Sequence, residues 1–208
     1  MLKLPKYEQE RKKRYTEYED MDNYPEINAA MDIYADDGTQ RSMDSQIVTI
    51  ESGDQFLKDE VSDVFDKIEI EKVIWDIVRN TAKYGDCFIE TIHNAKHPEL
   101  GLQRLKILNP NYILRVENAF GYLKHFVQEI PQGLNLDMPL STSPKKHIVL
   151  DRNQIVHFRV HTSDPVYYPY GKSFLSACIQ AYRSLRLMEE AMLIYRLSRA
   201  PERRVFYI

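Results

Sequence analysis

The chain has 208 residues, of which 43% are hydrophobic and 28% charged, and its formal net charge is −3. This length suits one large domain or two small ones, and the composition is typical of a folded globular chain rather than a disordered one. The mild net acidity argues against a globally basic nucleic-acid-binding protein. Only seven glycines are present, which argues against a glycine-rich nucleotide cradle, and no apolar run reaches the roughly 18 residues that a bilayer span needs.

The first half of the chain reads mainly as helices. Residues 5–21 are rich in strong helix formers, and Asn23 with Glu26 three residues later predicts a capped helix start before a second helix that ends near Gly38. Residues 46–50 form a short strand candidate. The helical segment 70–84 has the strongest apolar period, and Gly85 is expected to end it before a strand at 87–92.

A capping box at Ser52 predicts another helix before that segment, opening at residues 52–55. Its apolar side chains are expected to point inward: Phe56, Val61, Val64 and Phe65.

The apolar period changes to two between residues 103 and 160, which favours antiparallel strands. In the middle of this region Tyr112, Leu114 and Val116 alternate with polar residues. A proline-bearing hairpin or loop is expected at 131–144, and a connector with two prolines at 161–170. The predicted fold class is therefore α+β: helices, a mostly antiparallel sheet, and then a helix longer than the domain.

That last helix is predicted over residues 172–199, because Pro201 prevents it from continuing. A helix of about 28 residues spans roughly 42 Å at 1.5 Å per residue. Its apolar residues lie on more than one face, so we expect neighbouring subunits to cover it. One stripe consists of Phe174, Cys178, Tyr182, Leu185, Met188, Met192 and Tyr195, and a second of Leu187, Ala191 and Ile194.

Motifs of catalysis are missing from the sequence, including the P-loop, the dinucleotide-binding fingerprint, HExxH and the nucleophile elbow. His147, His157 and His161 suggest a metal site, but no ligand set has motif spacing, so a metal-dependent hydrolase is a minor alternative. Cys87 and Cys178 both have apolar neighbours, which predicts buried free thiols of the kind found in a reducing cytoplasm. We expect no catalytic residues, no cofactor and no metal.

Arginines concentrate at the C-terminal end, where residues 181–208 carry six arginines and three glutamates and the rest of the chain is correspondingly acidic. Arginine binds phosphate well, so a nucleic-acid-binding module is a second alternative. Salt bridges between subunits are the competing interpretation, with Glu189, Glu190 and Glu202 as partners. The candidate interface or channel residues are Arg183, Arg186, Leu187, Met192, Arg196, Arg199, Glu202, Arg203 and Arg204.

Several segments together resemble the portal proteins of T-even-type, contractile-tailed bacteriophages. They are YPEINAAMDIYADD at 24–37, IVRNTAKYGDCFIE at 77–90, LNPNYILRVEN at 108–118, HFRV at 157–160, and the run YPYGKSFLSACIQAYRSLRLMEEAMLIYRLSRAPERRVFYI at 168–208. The last run is the most specific, because it joins a long helix to the sequence RAPERR.

The resemblance implies a structural ring subunit, usually in twelve copies, at one vertex of the capsid. The implied partners are further copies of the chain, the terminase large subunit, neck and head-completion proteins, the major capsid and scaffold proteins, and double-stranded DNA passing without sequence preference. It also implies a virion location, reached from the host cytoplasm during assembly.

By the same resemblance, residues 1–170 form the wing, 171–200 the helix from wing to stem, and 201–208 the start of the clip. We expect the chain to be a piece of a longer protein, because it stops inside an apolar strand. Glu202 beside Arg203 and Arg204 favours structural pairing of these arginines over contact with DNA.

Overall fold

A computed structural model describes residues 6–41, 46–94, 96–97, 101–129 and 147–199. The helices in this part of the chain are α1 (Lys6–Asp22), α2 (Pro25–Gly38), α3 (Gln55–Lys67), α4 (Ile70–Tyr84) and α5 (Ile179–Arg199). The strands are β1 (Asp86–His93), β2 (Leu102–Leu108), β3 (Ile113–Glu117), β4 (Leu123–Glu129), β5 (His147–Asp151) and β6 (Ile155–Arg159). The α+β class is confirmed.

The strands form two antiparallel sheets rather than the single sheet expected. The first has the order β2-β1-β6 and the second the order β3-β4-β5. Successive side chains of β1 point to opposite faces of the sheet. Cys87 and Ile89 therefore pack with Ile77 of α4, while Phe88 packs with Phe126 of the second sheet. The first half of β1, from Asp86 to Ile89, is therefore buried on both faces.

Helix α4 matches its predicted bounds and is the helix that covers the first sheet. Val73 and Ile77 lie on its inner face, and Gly85 ends it in the left-handed conformation with φ of 83°. Helices α1 and α2 pack beside it through a second apolar cluster that contains Tyr15, Tyr18 and Met31.

Three local predictions were wrong in detail. Residues 46–50 are irregular, because no described strand lies beside them to form a ladder, and the Ile47 amide instead donates to Glu71. Tyr24 rather than Asn23 occupies the cap position of α2. Asp54 rather than Ser52 caps α3, accepting from the amide of Phe56 at 3.0 Å.

Helix α3 forms, but its apolar face is not inward as predicted. Phe56 is 68% exposed and Val61 and Val64 are both 39% exposed, while Phe65 is half-buried. Capping and periodicity determine that these residues form an amphipathic helix, but they do not determine which neighbour covers it.

The alternation expected from Tyr112 to Val116 is only partly present. A 3₁₀ turn at Pro110–Tyr112 precedes β3, so Tyr112 lies outside the strand and is 37% exposed, while Ile113 at the strand start is fully buried. The other residues of β3 are all half-buried. The predicted loop at 131–144 lies outside the described residues.

The predicted helix 172–199 begins later than expected. Ser173 caps a short 3₁₀ helix at Phe174–Ala177 by accepting from the Leu175 amide at 2.9 Å, and α5 starts only at Ile179. With 21 residues, α5 is about 32 Å long rather than 42 Å. No described helix has the length and apolar character needed to cross a membrane.

Candidate assembly surface

A fully buried carboxylate, Asp86 at the start of β1, ties the helices to the connector that leads to α5. It accepts hydrogen bonds from the Tyr15 hydroxyl at 2.6 Å, His157 Nε2 at 2.7 Å and the Gly171 amide at 2.9 Å. These donors belong to α1, β6 and the connector. Burial and the adjacent carboxylate raise the pKa of Tyr15 well above its ordinary value, so Tyr15 stays a donor.

A buried arginine, Arg11 of α1, makes a second junction on the same side of β1. Its guanidinium donates to Glu8 at 2.8 Å and to the carbonyls of Pro110 and Ile113, at 3.2 Å and 2.8 Å. It also lies 4.2 Å from the ring centroid of Tyr170. Burial alone would lower the pKa of Arg11, but the neighbouring tyrosines and Glu8 outweigh it and raise that pKa.

These two sites form one buried polar cluster, which we call the polar junction. Tyr170 connects them, because its hydroxyl bonds Glu8 at 3.0 Å and its ring lies 6.1 Å from that of His157. Its members are Glu8, Arg11, Tyr15, Asp86, His157 and Tyr170.

The backbone at Gly85 and Gly171 is so close that neither residue tolerates a side chain. A Cβ on Gly171 would lie 2.0 Å from the Gly85 carbonyl oxygen, and that oxygen also accepts from the Val160 amide at 2.8 Å. The end of α4 is thereby fixed against the connector three residues before Phe174.

A second polar cluster joins α1, α2 and α4. Asp22 accepts from Lys83 at 2.7 Å and from Arg79 at 3.0 Å, and Arg79 also donates to Asp32 at 2.6 Å. Burial would raise the pKa of Asp22, but its hydrogen bonds with Lys83 and Arg79 outweigh that cost and lower it.

The first turns of α5 are anchored to this body. Tyr182 is buried, its ring packs edge-on against that of Tyr24 at 5.9 Å, and Glu189 accepts a hydrogen bond from the Tyr24 hydroxyl. Arg183 pairs with Glu17 of α1 at 2.6 Å.

Beyond those anchors the apolar side chains of α5 are exposed. Met188 of the first predicted stripe is 62% exposed and Leu187 of the second 68%, so both stripes contain uncovered residues. The exposed large apolar residues of α5 are Leu185, Leu187, Met188, Met192, Leu193, Ile194, Tyr195 and Leu197. An apolar surface of this extent is typical of an interface.

Arginines of α5 divide into two groups. Arg183 and Arg186 already have acidic partners within the chain, Glu17 and Glu190, the latter at 3.6 Å. Arg196 and Arg199 lie in the last turn of α5. The predicted residues Glu202, Arg203 and Arg204 lie outside the described residues.

A concave apolar surface, here called the α2–α4 groove, lies beside the start of α5. Its volume is about 900 Å³. Its lining includes Tyr34, Phe65, Ile70, Ile74, Val78, Phe158 and Phe174. This groove was not predicted from the sequence, because its walls come from segments that are distant in the chain.

The alternative functions receive no support from the described residues. No group of three potential metal ligands converges among them. His157 is hydrogen-bonded to Asp86, whereas His147 is exposed on the other sheet and His161 lies in the connector. The arginines proposed for nucleic-acid binding are in part paired within the chain.

Cys87 is buried as predicted, and burial raises the pKa of its thiol to about 12. Cys178 is exposed, contrary to prediction, because it lies between the 3₁₀ helix and α5 on the outside of the turn.

The helices and sheets form a folded body to which the exposed apolar helix α5 is anchored at one end, an arrangement typical of proteins that form assemblies. The chain matches the family described as Bacteriophage T4-like portal protein (Gp20) over residues 11–208 and belongs to that family. It is 50% identical over 40 residues to the portal protein of Vibrio phage KVP40, a stretch that covers 19% of this chain and 8% of that protein.

Two solved structures also resemble the chain. The neck of an empty GTA particle computed with C6 symmetry has a TM-score of 0.54 at 13% identity, covering 88% of this chain and 45% of that one. The neck of a native GTA particle computed with C12 symmetry has a TM-score of 0.47 at 15% identity, covering 70% and 37%. The chain thus spans less than half of the length of each of these relatives, and the first structure supports the fold.

Proposed function

We propose that this chain is part of a structural subunit of the ring-shaped portal at one capsid vertex. The complete ring would conduct double-stranded DNA during packaging and ejection and serve as a docking platform for the packaging motor and the tail. Family membership supports this proposal, and the observation that carries it is the exposed apolar surface of α5. A helix with uncovered apolar residues on two faces needs neighbours, and a ring supplies one on each side.

In the complete protein, we assign residues 1–170 to the wing, 171–200 to the passage from wing to stem, and 201–208 to the start of the clip. The anchoring of α5 at Tyr182 and its exposure beyond Leu185 support a boundary near the start of that helix. The polar junction would keep the wing rigid while α5 bears the contacts between subunits.

The proposed partners follow from this role. They are further copies of the chain, twelve by the family resemblance, and the terminase large subunit, neck and head-completion proteins, and major capsid and scaffold proteins. The solved neck with a similar fold carries sixfold symmetry in its description, which supports a closed ring of this fold. We place the protein in the virion at the portal vertex, and in the host cytoplasm during assembly.

Double-stranded DNA would pass through the ring without sequence-specific contact. A strongly basic wall would hold phosphates and slow their passage, whereas this chain is mildly acidic and pairs Arg183 and Arg186 internally. We propose no enzymatic activity and no cofactor.

Self-association of the chain tests this function. Sedimentation velocity over a range of concentrations is expected to show oligomers, and Met192→Glu and Leu187→Glu are each expected to reduce them because a charge cannot be buried in an apolar contact. Val149→Glu, an equally apolar and 63% exposed position on β5, is the matched control and should change nothing. A single 24.6 kDa species at every concentration would contradict the proposal.

A further inference from the structure

The α2–α4 groove is an apolar surface that the described part of the chain leaves uncovered. Tyr34 is 58% exposed and Phe174 44% exposed, and their rings pack edge-on at 5.1 Å to form one wall. Ile74 and Val78 of α4 and Phe158 of β6 also line the groove. A pocket of about 900 Å³ is large enough to hold several side chains of a docked helix.

Negative charge lies beside this groove. Helix α2 has four acidic residues and no basic one, and Asp37 itself lines the groove. Asp32 is paired with Arg79, but Asp36 bonds the neutral indole of Trp75 and Asp37 the neutral amide of Gln40. Neither of these two bonds supplies a positive charge. The one basic residue in the described lining, Arg159, donates to the Pro169 carbonyl at 2.9 Å.

Helix α5 presents a complementary surface, which we call the outer row. Leu185, Met188, Met192 and Tyr195 have the spacing i, i+3, i+7, i+10, which places them along one side of a helix, and each is between 39% and 62% exposed. Helices that dock in apolar grooves use this spacing for their anchors. Arg196 and Arg199 flank the end of the row, and the Arg199 guanidinium lies 4.6 Å from the ring centroid of Tyr195.

We propose that the α2–α4 groove of one copy receives the outer row of α5 from a second copy of this chain. The shapes match, as a convex apolar helix meets a concave apolar groove, and the charges match, as Arg196 and Arg199 meet the acidic end of α2. The helix of the same copy does not fill its own groove, since the outer row is exposed there. This inference rests on the proposed portal function and identifies the two surfaces that join its subunits.

Joining two different surfaces has a consequence for symmetry. A contact between a helix on one copy and a groove on the next is heterologous, so it repeats head to tail and closes into a ring when the rotation permits. A contact between the same face of two α5 helices would instead be isologous and would stop at a dimer.

Complementation between two variants tests the contact directly. Met192→Glu places a charge in the outer row and leaves the groove unchanged, while Tyr34→Glu places a charge in the groove and leaves the outer row unchanged. Each variant alone is expected to self-associate at least about tenfold more weakly than the parent, because buried anchors dominate interface energies. In an equimolar mixture one intact groove meets one intact helix, so sedimentation should show dimers that grow no further. Circular dichroism melts check that both variants fold.

A charge exchange supplies a second test that does not depend on an apolar position. Asp37→Lys and Arg199→Glu are both surface changes, and each is expected to weaken self-association about two- to fivefold, as rim charges do. Mixing the two variants should recover part of this loss if the charges meet across the contact. Val149→Glu remains the control.

The outcomes separate the inference from the function on which it rests. A parent chain that stays monomeric overturns both. A parent that associates while Tyr34→Glu associates equally well, or a mixture that fails to form dimers, overturns the helix-in-groove contact and leaves the portal proposal standing.

Discussion

The polar junction and the outer row of α5 reverse the usual arrangement of side chains. Arg11 and Asp86 are charged and almost fully buried, whereas Met188 and Met192 are apolar and more than half exposed. Each described hydrogen bond of the junction joins two groups of the same chain, so the junction needs no partner subunit. The outer row has no cover in the described residues and becomes complete only with a partner. The difference distinguishes what holds one subunit together from what joins it to another.

Removal of Arg11 should have the largest effect on stability. Arg11→Ala removes the cation that pairs with the buried Glu8 carboxylate and one donor to each of two carbonyl oxygens, and breaking a buried ion pair in this way costs about 3–5 kcal/mol. Urea unfolding followed by circular dichroism measures the loss. Lys13→Ala, an exposed position on the same helix, is the control. A loss as small as that of the control would show that the junction does not stabilise the subunit.

Asp86→Asn should have the next largest effect. The amide keeps one oxygen for the His157 and Gly171 donors but loses the charge and the acceptor that faces Tyr15, so we expect a loss of roughly 1.5–3 kcal/mol. The same unfolding measurement applies, with the exposed Asp76→Asn on α4 as control. Equal stability of Asp86→Asn and the parent would mean that the buried carboxylate is dispensable.

The sequence predicted much of the apolar framework and little of this junction. The bounds of α4, the strand at Cys87 and the antiparallel pairing of the later strands follow from local periodicity and the Gly85 stop, which depend on neighbouring residues only. The partners of Arg11 lie about a hundred positions away, at Pro110 and Ile113. Within a charge-dense helix, nothing local distinguishes the arginine that is buried from those that are solvated.

Prediction of the candidate interface from sequence was limited in the same way, because local spacing does not reveal contacts with distant residues. The apolar stripes and arginines of α5 were predicted from helical spacing, and their exposure follows from having more apolar faces than one domain can cover. Arg183, one of the candidate interface or channel residues, pairs within the chain with Glu17, a partner 166 positions away that helical spacing does not reveal. The α2–α4 groove was not predicted, because a concave surface depends on how segments as distant as Tyr34 and Phe158 come together.

A smaller effect is expected in acid, at the cluster that joins α1 and α4. Because Lys83 and Arg79 hold the pKa of Asp22 below its ordinary value, the stabilisation is present above the unfolded-state pKa of about 3.9 and is lost as the pH falls through the lower folded-state value. Asp22→Asn should therefore flatten the dependence of stability on pH at the acidic end, measured as melting temperature against pH. Asp20→Asn, which is exposed on the same helix, should keep the parent slope, and a parent slope in Asp22→Asn would contradict the assignment.

The smallest perturbation uses the two native thiols, Cys87 next to Asp86 of the polar junction and Cys178 just before α5. Cys87 lies in the buried first half of β1 with its pKa raised to about 12 by burial, so it is both inaccessible and protonated at neutral pH. Cys178 is exposed at the turn into α5. A small maleimide should therefore label Cys178 promptly in the folded chain and label Cys87 only when urea opens the core, as mass spectrometry of the two peptides can show. Cys178→Ser serves as the control and should leave the folded chain unlabelled. Prompt labelling of Cys87 in that variant would mean that the region around β1 opens readily, and the contrast between a completed interior and an uncovered helix would then be wrong.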